Sequence, residues 1–314
     1  IKTFAISGTN IFAGSYFGVF LSSNNGLNWT AVNNGLTNTD VTSIAISGTN
    51  VFVSTGNGVY VSTNNGANWS WIVTGMTNTN VHSLVINGTD ILAGTDDGVF
   101  ISKNNGLSWT LSNNGLTGIV QTFLVVGSNI FAGTNGYGLF LSTDNGLNWI
   151  SVNNGLTSNI QALVSSGNKI FAGSDSGLFL SVNNGISWTP ISTGLNNHNI
   201  LSLAVNSTFL FAGTNGNGVW KRQLSNILTG IKEEKLNDSF ILSPNPSSGK
   251  LTISGSSKII SIKIYSVLGE IIYSTTTSSK EQSINLDISN SPNGIYFVNM
   301  YDGENLLTKK IVKN

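Results

Sequence analysis

Through the first two thirds of the chain, short apolar runs alternate with clusters of Gly, Asn, Ser and Thr on a fixed period. Phe12, Phe52, Leu92, Phe131, Phe171 and Phe211 recur at intervals of 40, 40, 39, 40 and 40 residues. Trp29, Trp69, Trp109, Trp149 and Trp188 recur at 40, 40, 40 and 39. Each period reads as four β runs. In the second period these are 41–47, 51–55, 58–63 and 68–74, separated by Gly48-Thr-Asn50, Gly56-Asn57 and Asn64-Asn65-Gly66. No segment carries an i, i+3, i+4 apolar pattern long enough for a helix. Four strands in about forty residues predict an all-β chain built of β-propeller blades; a solenoid would repeat every 20–30 residues or so. Six units are visible, and the sixth ends after its third strand near Leu224. Ile1 aligns with Val41, the start of a first strand, so a fourth strand closing the ring is expected upstream and the N-terminus is expected to be truncated.

Charge placement adds a boundary. Residues 1–225 hold five basic and six acidic groups and no glutamate, whereas 226–314 hold nine and eight. The expected division is a propeller over 1–225, a linker over 226–238 and a second domain over 239–314. The chain has no cysteine, which removes disulfides, thiolate metal sites and thiol nucleophiles. Its net charge of zero argues against nucleic acid as a partner, and no apolar run is long enough to span a membrane. Two histidines, His82 and His198, cannot supply a three-histidine metal site, and no cofactor or metal is expected.

The turn before each tryptophan is specific. Ser142-Thr-Asp144-Asn-Gly146-Leu-Asn148-Trp149 resembles the Asp-box (BNR-type) repeat. The copies at 22–29, 62–69, 102–109 and 181–188 put Asn where Asp is usual, and Asn and Asp both bond the backbone of a tight turn. The resemblance covers about 220 residues of a family that includes sialidases, xyloglucanase-like hydrolases, sortilin-type receptors and photosystem-assembly propellers. It implies a fold, not an activity. A sialidase would need three arginines and a Tyr-Glu pair; the chain has only Arg222, and no glutamate precedes Glu233.

After Ser239 the pattern changes. Ser243-Pro-Asn-Pro-Ser247, Ile264 to Glu270, Ile284 to Ile288 and Asn293 to Val298, in this order before the terminal lysines, resemble the type A sorting domain of the type IX secretion system. The resemblance implies an Ig-like β-sandwich over 239–314. It also implies passage through the periplasm, engagement of the export machinery, and a secreted or outer-membrane surface location in a Gram-negative bacterium.

Positions that repeat in every unit serve the blade, and positions that differ are free to serve a site. The loops between second and third strands differ most, which nominates Tyr16, Phe17, Asn57, Asp96, Asp97, Asn135, Tyr137, Asp175, Asn215 and Asn217. His82 and His198 join them on the same expected face. Amides and aromatics there suit a neutral glycan or a protein loop. A binding module is therefore expected. A xyloglucanase-like hydrolase using Asp40, Asp96, Asp97 or Asp175 is the alternative, and a surface scaffold is the third reading. Trp71 and Trp220 break the tryptophan repeat and are expected to be freer for contact than the Asp-box tryptophans.

Overall fold

The computed structural model describes residues 1–156, 159–195, 198–230, 240–255, 261–266, 271–276, 283–301 and 306–314. Contacts divide the chain into two units, Ile1–Leu228 and Thr229–Asn314.

In the first unit, five four-stranded antiparallel sheets follow one another in chain order, and a three-stranded sheet (Ile200–Val205, Phe209–Thr214, Val219–Gln223) is the sixth. The second sheet runs Val41–Ser47, Asn50–Thr55, Gly58–Ser62 and Ser70–Trp71, so the predicted fourth run of 68–74 contracts to two residues. First strands of successive sheets pack side by side, as Val41–Ser47 does against Val81–Asn87. Apolar layers lie between sheets: Phe12 and Val19 of the first meet Val41, Val53 and Trp69 of the second. These are blades of a β-propeller.

The turn before each tryptophan explains its own sequence. The buried Ser22 hydroxyl accepts the Gly26 N–H (2.9 Å) and donates to Asn24 Oδ1, which also accepts the Asn28 N–H (2.9 Å). Asn25 sits at φ 57° and Gly26 at φ 84°, and the same pair of angles returns in all five copies. Asn and Gly are the residues that tolerate such left-handed backbone.

Each turn after the first reaches back to the preceding sheet. Trp69 donates its indole N–H to the Val32 carbonyl (2.7 Å) and its backbone N–H to the Asn34 carbonyl (2.9 Å). Trp109, Trp149 and Trp188 do the same with Ile72 and Thr74, Ser112 and Asn114, and Val152 and Asn154. Those four tryptophans are 3–5% exposed, whereas Trp29, in the first sheet, is 40% exposed and turns its indole onto its own Gly26 carbonyl. Glycine must face the incoming strand. A Cβ on Gly75 (φ +91°) would lie 2.3 Å from the Trp109 carbonyl oxygen.

One sequence expectation needs correction. A helix does occur, at Leu224–Gly230. It stands where a sixth turn of this kind would fall. Its Ile227, 1% exposed, packs with Ile191 and Leu195 much as Trp69 packs with Val32 and Leu36. The remaining linker residues, 231–238, lie outside the described residues. The second unit carries Phe240–Ser243, Lys250–Gly255 and Ser283–Asp287 in one sheet. Ile271–Thr276, Ser261–Ser266, Gly294–Tyr301 and Leu306–Lys313 form another. Leu251, Ile253 and Leu286 of the first sheet share one core with Ile262, Ile264, Val298 and Ile311 of the second.

Gly75→Ala should destabilise the propeller by several kcal/mol in urea unfolding, because left-handed strain of about 1 kcal/mol is joined by a backbone clash. Gly194→Ala, at φ +86° with nothing within 4 Å of its Cβ, should cost only the strain. Equal losses would contradict the docking role.

Asp144 offers a second check. Bonds from the Asn148 side chain, the Asn148 N–H and the Ser142 hydroxyl pull its carboxyl down to about 2. A lowered carboxyl stabilises the fold above its unfolded pKa, and that contribution is lost as pH falls from about 4 toward 2. Asp144→Asn, which recreates the other four boxes, should leave Tm at pH 7 within about 1 °C and reduce its fall below pH 4. Asp144→Ala should lower Tm at both pH values.

Candidate functional site

Antiparallel order places the second-to-third and fourth-to-first loops at the end of the propeller opposite the tryptophan-bearing turns. The first strands carry a repeated irregularity at that end. Val41 pairs with Thr55 and Ser43 with Ser54, so Thr42 is an extra residue opposite no partner. The same β-bulge sets out His82 between Val81 and Ser83, Gln121 between Val120 and Thr122, Gln161 between Ile160 and Ala162, and Leu201 between Ile200 and Ser202. A bulge re-aims one side chain and releases it from the pleat. The flanking residues Val41, Val81, Val120, Ile160 and Ile200 are fully buried, and the bulged residue is different in almost every unit.

Around these bulges the loops are cross-linked. His82 Nε2 lies 2.7 Å from Asp96 Oδ1, and Asn80 Nδ2 donates to Asp96 Oδ2 (2.7 Å). Partial burial pushes the Asp96 carboxyl up. The bonds from His82 and Asn80, with the imidazole's charge, outweigh it and hold the group below the usual carboxylate value. Asn159 donates to Asp175 Oδ2 (2.5 Å) and accepts the Gly136 N–H (2.6 Å). Lys2 pairs with Asp40 (2.5 Å) and lies 3.9 Å from the centre of the Tyr16 ring. Farther along, Gln121, Asn135, Asn159, Ile160, Gln161 and Leu201 line an open pocket of about 380 Å³. Gln161 donates to Asn199 Oδ1 (3.2 Å) at its side.

The nominated residues thus separate. His82 joins Asp96, Asp175 joins Asn159, Tyr16 joins Lys2, and Asn135 lines the pocket. The Asn215 N–H donates to the Asn199 carbonyl (3.0 Å). Tyr137, 58% exposed, lays its ring where a Cβ on Gly118 would sit. Phe17, Asn57, Asp97, His198 and Asn217 are exposed. The neighbouring loop residues 196–197 lie outside the described residues.

As hydrolase groups, Asp40, Asp96 and Asp175 are each tied to a lysine, a histidine or an amide, and Asp96 is shifted away from the raised pKa that a general acid needs. Trp71 has a structural partner: its indole N–H donates to the Asn57 carbonyl (2.8 Å). Asn33 and Asn153 serve the equivalent carbonyls of Phe17 and Tyr137, and the second unit has Val73 at that position. Trp220 is partly buried against the last core cluster.

Sequence reasoning passed over Gln121 and Gln161. The signal was present in a position that varies among units, directly after one that is always Val or Ile.

Comparison with known proteins gives two results. Residues 242–314 match the secretion system C-terminal sorting domain family, which marks the chain for export by the type IX system to the cell surface or the medium. A search of curated proteins finds no match. Among solved structures, PorZ of Porphyromonas gingivalis, described as an essential surface component of the type IX secretion system, superposes at TM-score 0.54 and 17% identity, over 99% of this chain and 51% of PorZ. An ancestral GH74 enzyme gives 0.58 and 15%, over 98% of this chain and 44% of the enzyme. YCF48 from Cyanidioschyzon merolae gives 0.54 and 15%, over 72% and 85%. The chain spans about half the length of PorZ. These likenesses concern the fold.

His82→Ala should let the Asp96 titration midpoint rise toward the ordinary carboxylate value, read by NMR of the side-chain carboxyl carbons. The stabilisation from Asp96 exists above its unfolded pKa and fades as pH falls through the folded one. The Tm gap between wild type and variant should therefore narrow from pH 6 to pH 3. An unmoved midpoint would contradict the pairing.

Proposed function

We propose that the propeller is a binding module of an exported protein and that its ligand, a neutral glycan or a loop of another protein, seats on the bulge-bearing end. The row of β-bulges carries this reading. Five sheets give up a ladder pairing at the same point, and the residue set out there varies among them, Thr42, His82, Gln121, Gln161 and Leu201. Blade packing alone would favour one class of residue there, as it does at the preceding position, which is always Val or Ile. Amide groups offer both a donor and an acceptor, which matches hydroxyls or peptide groups and not a charged partner. Likeness in fold to a GH74 enzyme supports a glycan, and likeness to PorZ supports a surface role. No hydrolytic role is proposed, because the carboxylates of Asp40, Asp96 and Asp175 are engaged with neighbours.

A glycan array and a surface-protein binding screen, read beside a reducing-sugar release assay, test this. The double variant Gln121→Ala/Gln161→Ala should weaken binding by about tenfold or more, as expected for two or three lost polar contacts. Leu107→Ser, on the exposed Asp-box end, should bind as wild type does. Sugar release abolished by Asp96→Asn or Asp175→Asn would replace this reading with a hydrolase. Absence of any ligand would leave a scaffold.

A further inference from the structure

The terminal strand Leu306–Lys313 lies at the edge of its sheet, paired on one side with Gly294–Tyr301. An edge strand has one neighbour and a row of unpaired backbone groups, and a strand near a chain end frays unless tied down. Here the other side of the strand is held by the motif Ser243-Pro-Asn-Pro-Ser247, some 65 residues earlier in the chain.

The holding bonds are specific. Asn245 Nδ2 donates to the Lys310 carbonyl (2.7 Å), and Asn245 Oδ1 accepts the Val312 N–H (2.8 Å). One side-chain amide therefore stands in for a peptide group of a missing neighbour strand. Ser247 continues the pairing with its backbone: its N–H donates to the Val312 carbonyl (2.9 Å), and its carbonyl accepts the Asn314 N–H (3.0 Å). Below this clasp Lys313, 7% exposed, donates to Asn293 Oδ1 (3.0 Å). Asn245 itself is exposed and lies outside the apolar core of Leu251, Ile253, Ile262, Ile264 and Val298.

We propose that Asn245 is a positioning residue for export: it clasps the terminal strand to the domain, and the export machinery reads the strand in that clasped state. The role requires a group that donates and accepts at once. Aspartate has the same shape but cannot donate, and it sets a negative charge against the Lys310 carbonyl. The proposal rests on export through residues 242–314 and is independent of what the propeller binds.

The test uses the full chain, with a signal peptide, in a bacterium that has type IX machinery. Surface and released protein are compared with the periplasmic fraction for wild type, Asn245→Asp, Asn245→Ala and Thr252→Val. The last removes an exposed bond to Asn285 (2.8 Å) on the other sheet. Both Asn245 variants should be exported several-fold less, with Thr252→Val unchanged. In hydrogen exchange, Asn245→Ala should speed exchange of the Val312 and Asn314 amides by about tenfold, as two lost bonds imply. Amides of Lys250–Gly255 should keep their protection. Wild-type export with an unlatched strand, unchanged protection at Val312, or an equal loss in Thr252→Val would each overturn the proposal. Loss of core protection in both Asn245 variants would also overturn it, by making the clasp part of the fold. Wild-type chain retained in the periplasm would overturn the export reading first.

Discussion

The propeller depends on one repeated contact, in which Trp69, Trp109, Trp149 or Trp188 docks on the backbone of the sheet before it. Two N–H donors from each tryptophan, indole and backbone, meet two carbonyls two residues apart, at Val32 and Asn34 or at Ile72 and Thr74. Two bonds to carbonyls two residues apart fix distance and angle together, so the apolar layer between sheets closes in one register. The glycines at 35, 75, 115 and 155 follow as a consequence, since the arriving backbone fills the volume of a Cβ. Where no tryptophan arrives, at Gly194, that space is open. Ile227 of the short helix takes up the apolar half of the task there without the hydrogen-bonding half.

This division of labour frees the opposite end. The tryptophan end is uniform because four successive turns dock in the same manner, whereas the contacts at the bulged end differ from unit to unit, as with Thr42 on the Val81 carbonyl and Gln161 on Asn199. Lys2 with Asp40, His82 with Asp96 and Asn159 with Asp175 are three unlike solutions to the bracing of neighbouring loops. Together they turn loops that are merely polar in sequence into a surface with fixed side chains. The carboxylates near the first three sheets are braced by a lysine and a histidine, and Asp175 near the fifth is braced by an amide, beside the neutral Gln121, Asn135 and Gln161.

What the sequence made legible were features that one strand or turn decides alone. The period, the turn serines, the left-handed Asn-Gly pairs and the alternation of strands are of this kind. The bulges were hidden because a bulge belongs to the register of two strands, and nothing in Val81-His82-Ser83 alone marks it. Helix Leu224–Gly230 was hidden because seven residues without a charged turn at either end give little periodic signal. Asn245 stood within a recognisable motif, yet its partners lie at Lys310 and Val312, and no local pattern connects them.

Trp71 shows how far units that look alike can drift apart. In the first, third and fourth units an asparagine two residues later bonds both the third strand's N–H and the loop carbonyl, as Asn33 does with Val19 and Phe17. The second unit has surrendered that asparagine for Val73, and the indole of Trp71 has taken over the carbonyl. A Cβ on Gly58 would meet Val73 at 2.3 Å and the Trp71 indole nitrogen at 3.1 Å, so the three residues form a single fitted set. Anyone averaging these repeats into a uniform blade inherits that bargain. Residue 58 is glycine in every unit, so the most frequent residue at each position is a sound choice only when residues 71 and 73 are exchanged together, because what fits that glycine is the compensated pair and not the single site.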